Sequence, residues 1–80
     1  MGRALLYLEW VDSAHFTTGG WKDGHDALEL EPRMIHSVGW IIRETDEFIT
    51  LSAHSDEGEN FDGVLCIPKV AIRKRKRLKL

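Results

Sequence analysis

Residues 37–54 read SVGWIIRETDEFITLSAH. Two runs rich in β-branched and aromatic side chains flank Thr45-Asp46, the pattern of an antiparallel hairpin. With those two residues at the turn, Arg43 faces Phe48, Ile42 faces Ile49, Trp40 faces Leu51 and Val38 faces Ala53. Val38, Trp40, Ile42, Ile49, Leu51 and Ala53 then share one face, and a one-residue slip would mix the faces. The turn lacks the Asn-Gly or Asp-Gly pair that two-residue hairpins prefer, which leaves a longer loop open. The other face, with Ile41, Arg43, Phe48, Thr50 and Ser52, is neither core nor plain solvent surface. A mixed face of this kind suits a subunit contact or a ligand groove.

Upstream, RALLYLEWVD (3–12) is a strand. Leu6, Leu8 and Trp10 share one side; Leu5, Tyr7 and Val11 share the other. Apolar residues on both sides predict a strand covered twice, the second cover being a short helix or another subunit. SAHFTTGGWKDG (13–24) is a loop by its glycines and hydroxyls. DGHDALELEP (23–32) predicts a one- or two-turn helix capped by Asp23 and stopped before Pro32, although ALELE also alternates as a strand would. Downstream come an acidic loop (55–63), a short apolar strand VLCIP (64–68) and a tight turn PKVA. Residues 72–79 then form an edge strand anchored by Ile72 and Leu78, whose Lys and Arg side chains deter indiscriminate strand pairing. The fold these elements predict is mainly β: one domain over residues 1–80, a small five-stranded SH3-like or Sm-like barrel with at most one short helix.

The chain has 80 residues and a single cysteine, Cys66. A chain this short buries only ~60% of its unfolded surface, and one thiol forms no internal disulfide, so a homo-oligomer is expected. The apolar ALLYL (4–8) runs at once into Glu9 and Asp12, unlike a secretory signal, and no run reaches the ~18 apolar residues of a membrane helix. The expectation is a soluble intracellular protein without a membrane partner. The formal net charge of −2 conceals an asymmetry: residues 1–68 carry −9 and residues 69–80 carry +7. The basic end either answers the protein's own acids or forms an anion site.

The histidines, His15, His25, His36 and His54, match no metal-ligand spacing. Cys66, inside an apolar strand, reads as a buried small hydrophobe. The acids of ETDE (44–47) and DEGE (56–59) read as solvated turns, and there is no GxGxxG or Walker loop. No enzyme, cofactor or metal is expected. Binding residues are easier to find. In TTGGWKDG, Thr17, Thr18, Trp21 and Lys22 offer hydroxyls to a base edge, an indole to stack on a base and an ammonium for a phosphate. Lys69, Arg73, Arg75 and Arg77 offer a row of phosphate contacts. Their ordinary alternatives are salt bridges to the acidic segments and, for Trp21, folding back over the core. Trp10 and Trp40 read as core.

WVD (10–12), SVGWIIRETDEFITLSAH and IPKVAI (67–72) together resemble a group of short bacteriophage proteins that share a W-x-D start, an SVGW strand, an ETDE turn and an IPK closing turn. RKRKR (73–77) is more basic than that group. The resemblance implies a phage protein acting in the host bacterial cytoplasm. The role it brings forward is immune evasion of the anti-CBASS sponge type: a small oligomer that binds and sequesters a cyclic oligonucleotide signal without cleaving it. Two rivals stand beside it. One is an Sm-like ring that binds RNA, against which the acidic 1–68 segment counts. The other is an interaction module that inhibits a host enzyme through the face around Ile41 and Phe48.

Overall fold

Alternation along the first strand decides which side of the sheet is the core. The computed structural model describes residues 3–14 and 19–80. In β1 (Leu5–Asp12), Leu6 and Leu8 are fully buried and Trp10 packs against them. After a single capped helical turn, α1 (Gly24–Leu28), come β2 (Arg33–Glu44), β3 (Phe48–Ser55), β4 (Phe61–Pro68), a 3-10 turn (Lys69–Ala71) and β5 (Ile72–Leu78). All pairings are antiparallel. The five strands make one open sheet in the order β4-β3-β2-β1-β5, which leaves β4 and β5 as its edges. The core is small: Leu6, Leu8, Ile49, Leu51 and Ile67, with Trp10, Ile41 and Ile72 against it.

The turn signals behave as their chemistry predicts. The Asp23 side chain accepts from His25 N (2.9 Å) and caps α1. Pro68 precedes the 3-10 turn that separates β4 from β5. β5 is an edge strand that pairs with β1 alone. Asp56 organises the β3–β4 loop: Oδ1 accepts from Gly58 N (2.8 Å) and Asn60 N (2.9 Å). These bonds, those from Asn60 foremost, hold the Asp56 carboxyl below its ordinary value.

The expected register of the central hairpin is wrong. Trp40 pairs with Ser52 and Ile41 with Leu51; beyond a bulge, Arg43 pairs with Thr50 and Glu44 with Ile49. The loop is three residues, Thr45 to Glu47. Thr45 Oγ1 accepts from Glu47 N (3.2 Å) and Phe48 N (3.1 Å), a hydroxyl turn that lengthens the connection. The core face of β2 is therefore the odd one, Ile35, Ser37, Gly39 and Ile41, opposite Trp10, Leu8 and Leu6 of β1 and Leu51 of β3. Val38 and Ala53, expected inside, are exposed. Arg43 still meets Phe48, its guanidinium 5.2 Å from the ring centre.

Three further expectations are corrected. Cys66 is exposed, because its neighbour Ile67 takes the buried side of β4. Leu78 lies opposite Leu5, on the face away from the core, so of the two expected anchors only Ile72 packs inward. β2 and β4 begin earlier than expected, at Arg33 and Phe61.

Two buried positions fix how β2, β3 and β4 approach one another. At Gly39 an added Cβ would sit 3.0 Å from Leu51 Cβ and 3.0 Å from the Ser52 carbonyl oxygen. Ser52, fully buried, places its hydroxyl 2.6 Å from His54 O and 2.9 Å from Asp62 O, tying β3 to β4. Gly39→Ala is expected to cost ~1–3 kcal/mol by overpacking, and Ser52→Ala ~1 kcal/mol for its lost bond. Urea unfolding followed by circular dichroism checks both; a Gly39→Ala protein as stable as the parent would contradict the close approach.

Candidate functional site

The β1–β5 pairing brings the two ends of the chain together. Leu5 lies opposite Leu78 on one side and Trp40 on the other. Around them Arg3, Arg77 and Lys79 surround a groove of about 550 Å³, which Ala4 and Leu80 complete. This volume lies within the ~300–1,000 Å³ of small-molecule sites. The lining combines three cations with a half-buried indole and leucines, and contains no side-chain carboxylate, imidazole, hydroxyl or thiol. Such a surface holds an anion beside a flat apolar ring.

Arg3 is held in place. Its Nη1 donates to the Ile42 and Ile41 carbonyls (3.1 and 3.4 Å) at the β2 bulge, and its guanidinium lies 5.0 Å from the Phe61 ring centre. Arg77 and Lys79 make no hydrogen bond or ion pair with the described residues, nor does Lys76 beside them.

The sequence-predicted binding residues do not form one site. Thr17 and Thr18 lie outside the described residues. Trp21 is fully exposed and does not fold back over the core. Lys22 Nζ donates to Gly19 O (3.3 Å) within its own loop. Arg73 donates to Val70 O (2.8 Å) of the preceding turn. Lys69 and Arg75 do come together, but on a carboxylate: Glu44 accepts both Arg75 nitrogens (2.7 and 3.0 Å) and Lys69 Nζ (2.7 Å). Glu44 had read as part of a solvated turn. The Arg75 bonds, then those of Lys69, lower its pKa to about 2.

Sequence reasoning missed Arg3 and Glu44 and gave Trp40 to the core. The signal for Arg3 is topological: when the first and last strands pair antiparallel, residues before β1 meet residues at the end of β5. On the outer face, Tyr7 Oη donates to Glu9 Oε2 (2.7 Å) and lies 2.7 Å from His36 Nδ1, with Lys74 Nζ 3.9 Å from Glu9. Glu9 raises the Tyr7 pKa. No three His, Cys, Asp or Glu side chains among the described residues are grouped as a metal ion requires, and no described helix is long and apolar enough to cross a membrane. No protein family, curated protein or solved structure matches the chain.

Because the folded Glu44 pKa lies below its ordinary 4.5, its contribution to stability is complete above that value. The contribution is lost as pH falls through about 2. Thermal unfolding between pH 5 and pH 2 is expected to show a drop in Tm that Glu44→Gln flattens. Equal pH slopes for the two proteins would show that the ion pairs add nothing.

Proposed function

We propose that the protein is a non-catalytic binder of a phosphorylated nucleotide, and that the groove between Arg3, Trp40, Arg77 and Lys79 is its site. The observation that carries this is a pair of cations, without partners among the described residues, beside an indole, in a groove without proton-transferring side chains other than ammonium. Arg77 and Lys79 would take phosphate oxygens and Trp40 would meet a base. Binding without cleavage is the behaviour of a sponge. Combined with the resemblance to short bacteriophage proteins, this gives the specific reading: an immune-evasion protein that sequesters a cyclic oligonucleotide defence signal. The Glu44 clamp, which draws β5 and the 3-10 turn toward the end of β2, favours closure of the sheet toward an SH3-like or Sm-like barrel.

Isothermal titration with cyclic di- and trinucleotides and with short RNA, at low and moderate salt, tests the reading. One cyclic nucleotide is expected to bind at both salts and to be recovered intact after denaturation. Arg77→Ala and Lys79→Ala are each expected to weaken it ~10- to 100-fold, the ~1.5–3 kcal/mol of a hydrogen bond to a charged group. Binding to RNA alone, fading with salt, would replace the sponge with an RNA-binding role. A hydrolysed ligand would make the protein an enzyme, and binding to none of these would leave a protein partner.

A further inference from the structure

The connection between β1 and β2 makes little use of its own sheet. From residue 19 to residue 32 every described side chain except Lys22 is exposed, and α1 buries none of its residues. Trp21 and Leu28 stand almost wholly in solvent, with Leu30 partly so. Connections longer than ~12–15 residues are uncommon in small domains unless they have a task. The radius of gyration, 16.1 Å, exceeds the ~12 Å of a compact chain of this length, and the long axis reaches 51 Å.

The sheet has a matching vacancy. The face of β1 and β2 away from the core carries Val11, Met34, Tyr7 and Val38. Met34 and Val38 are about half exposed, at 47% and 55%. The third strand of that face, β5, adds Lys74 and Lys76 opposite Glu9 and Tyr7. Residues 19–32 carry four acids, Asp23, Asp26, Glu29 and Glu31, and one base. The segment is apolar and acidic; the face is apolar at Val11, Met34 and Val38, with the Tyr7, Glu9 and His36 group between them and Lys76 at its flank. The chain's own helix does not cover this face.

We propose that residues 19–32 of one copy dock on the outer face of the β5–β1–β2 sheet of a second copy. Trp21, Leu28 and Leu30 cover Val11, Met34 and Val38, while the acids meet Lys76. The segment leaves the sheet between Asp12 and Arg33, one residue beyond the Val11–Met34 pair. A two-fold axis near that end allows both segments to dock at once, so the contact is isologous and closes as a dimer.

Sedimentation velocity at tens of micromolar protein tests the assignment. The parent is expected to run as a dimer. Leu28→Asp with Leu30→Asp, and separately Val38→Glu, are expected to give monomers with unchanged circular dichroism, since these side chains are exposed in the single chain. Asp26→Lys with Glu29→Lys is expected to weaken the dimer, and adding Lys76→Glu to restore it. A monomeric parent, or an oligomer indifferent to Leu28 and Leu30, would overturn the proposal. Failure of the charge reversal to restore assembly would overturn the pairing with β5.

Discussion

Glu44 holds two cations at once, and so ties the end of β2 to the last strand, which its ladder with β1 has already placed. Its bidentate bond to Arg75 and its contact with Lys69 join the end of β2 to the 3-10 turn and to β5. Lys69 N adds a backbone bond to Glu47 O (2.8 Å) beside it. A lone surface ion pair contributes little, but a fork engaged on both nitrogens with a second cation on the same carboxylate is geometrically demanding. It fixes which of the seven C-terminal cations are neutralised at home. Lys69 and Arg75 are taken by Glu44, and Arg73 bonds its own turn. Arg73 keeps its charge, since a carbonyl is neutral, and Lys74 lies 3.9 Å from Glu9; past Arg75 lie Lys76, Arg77 and Lys79. Two of those three line the groove.

The basic run at the end of the chain therefore has two halves with different work. Its first half is structural and answers the protein's own acids. Its second half faces solvent beside an indole. The reading that the run answers the protein's own acids holds for Lys69, Lys74 and Arg75, and a net charge cannot separate those residues from the rest.

The sheet was legible where one parity of a strand is plainly more apolar. Leu6, Leu8 and Trp10 announce the core side of β1, and Pro68 announces the turn before β5. β2 was misread because Val38, Trp40 and Ile42 compete with Ile35 and Ile41, and Gly39 has no side chain with which to signal burial. The bulge and the Thr45 hydroxyl then shift the register, and a count that assumes a two-residue turn cannot see either. Cys66 followed the same error, since an apolar strand at an edge has a buried and an open side. The groove was illegible for another reason. Arg3, Trp40 and Arg77 are far apart in sequence and meet only through the β1–β2 and β1–β5 pairings. What the sequence did show was the class of chemistry, cations with an aromatic ring; the groove brings together a different tryptophan, Trp40, with Arg3, Arg77 and Lys79.

Small size connects the site to assembly. Among the described residues, five buried apolar side chains, each contributing ~1.5–3 kcal/mol, form a slender core. The apolar groups that a larger domain would bury are instead distributed over Trp21, Leu28, Leu30, Met34 and Val38. Burying them against a second copy adds apolar contact without requiring a larger core in either chain. The contact runs from Val11 and Met34, at the far end of the β1–β2 pairing, up to Val38, the outer-face neighbour of Trp40. A dimer built there stabilises the sheet that positions Arg3 and Trp40.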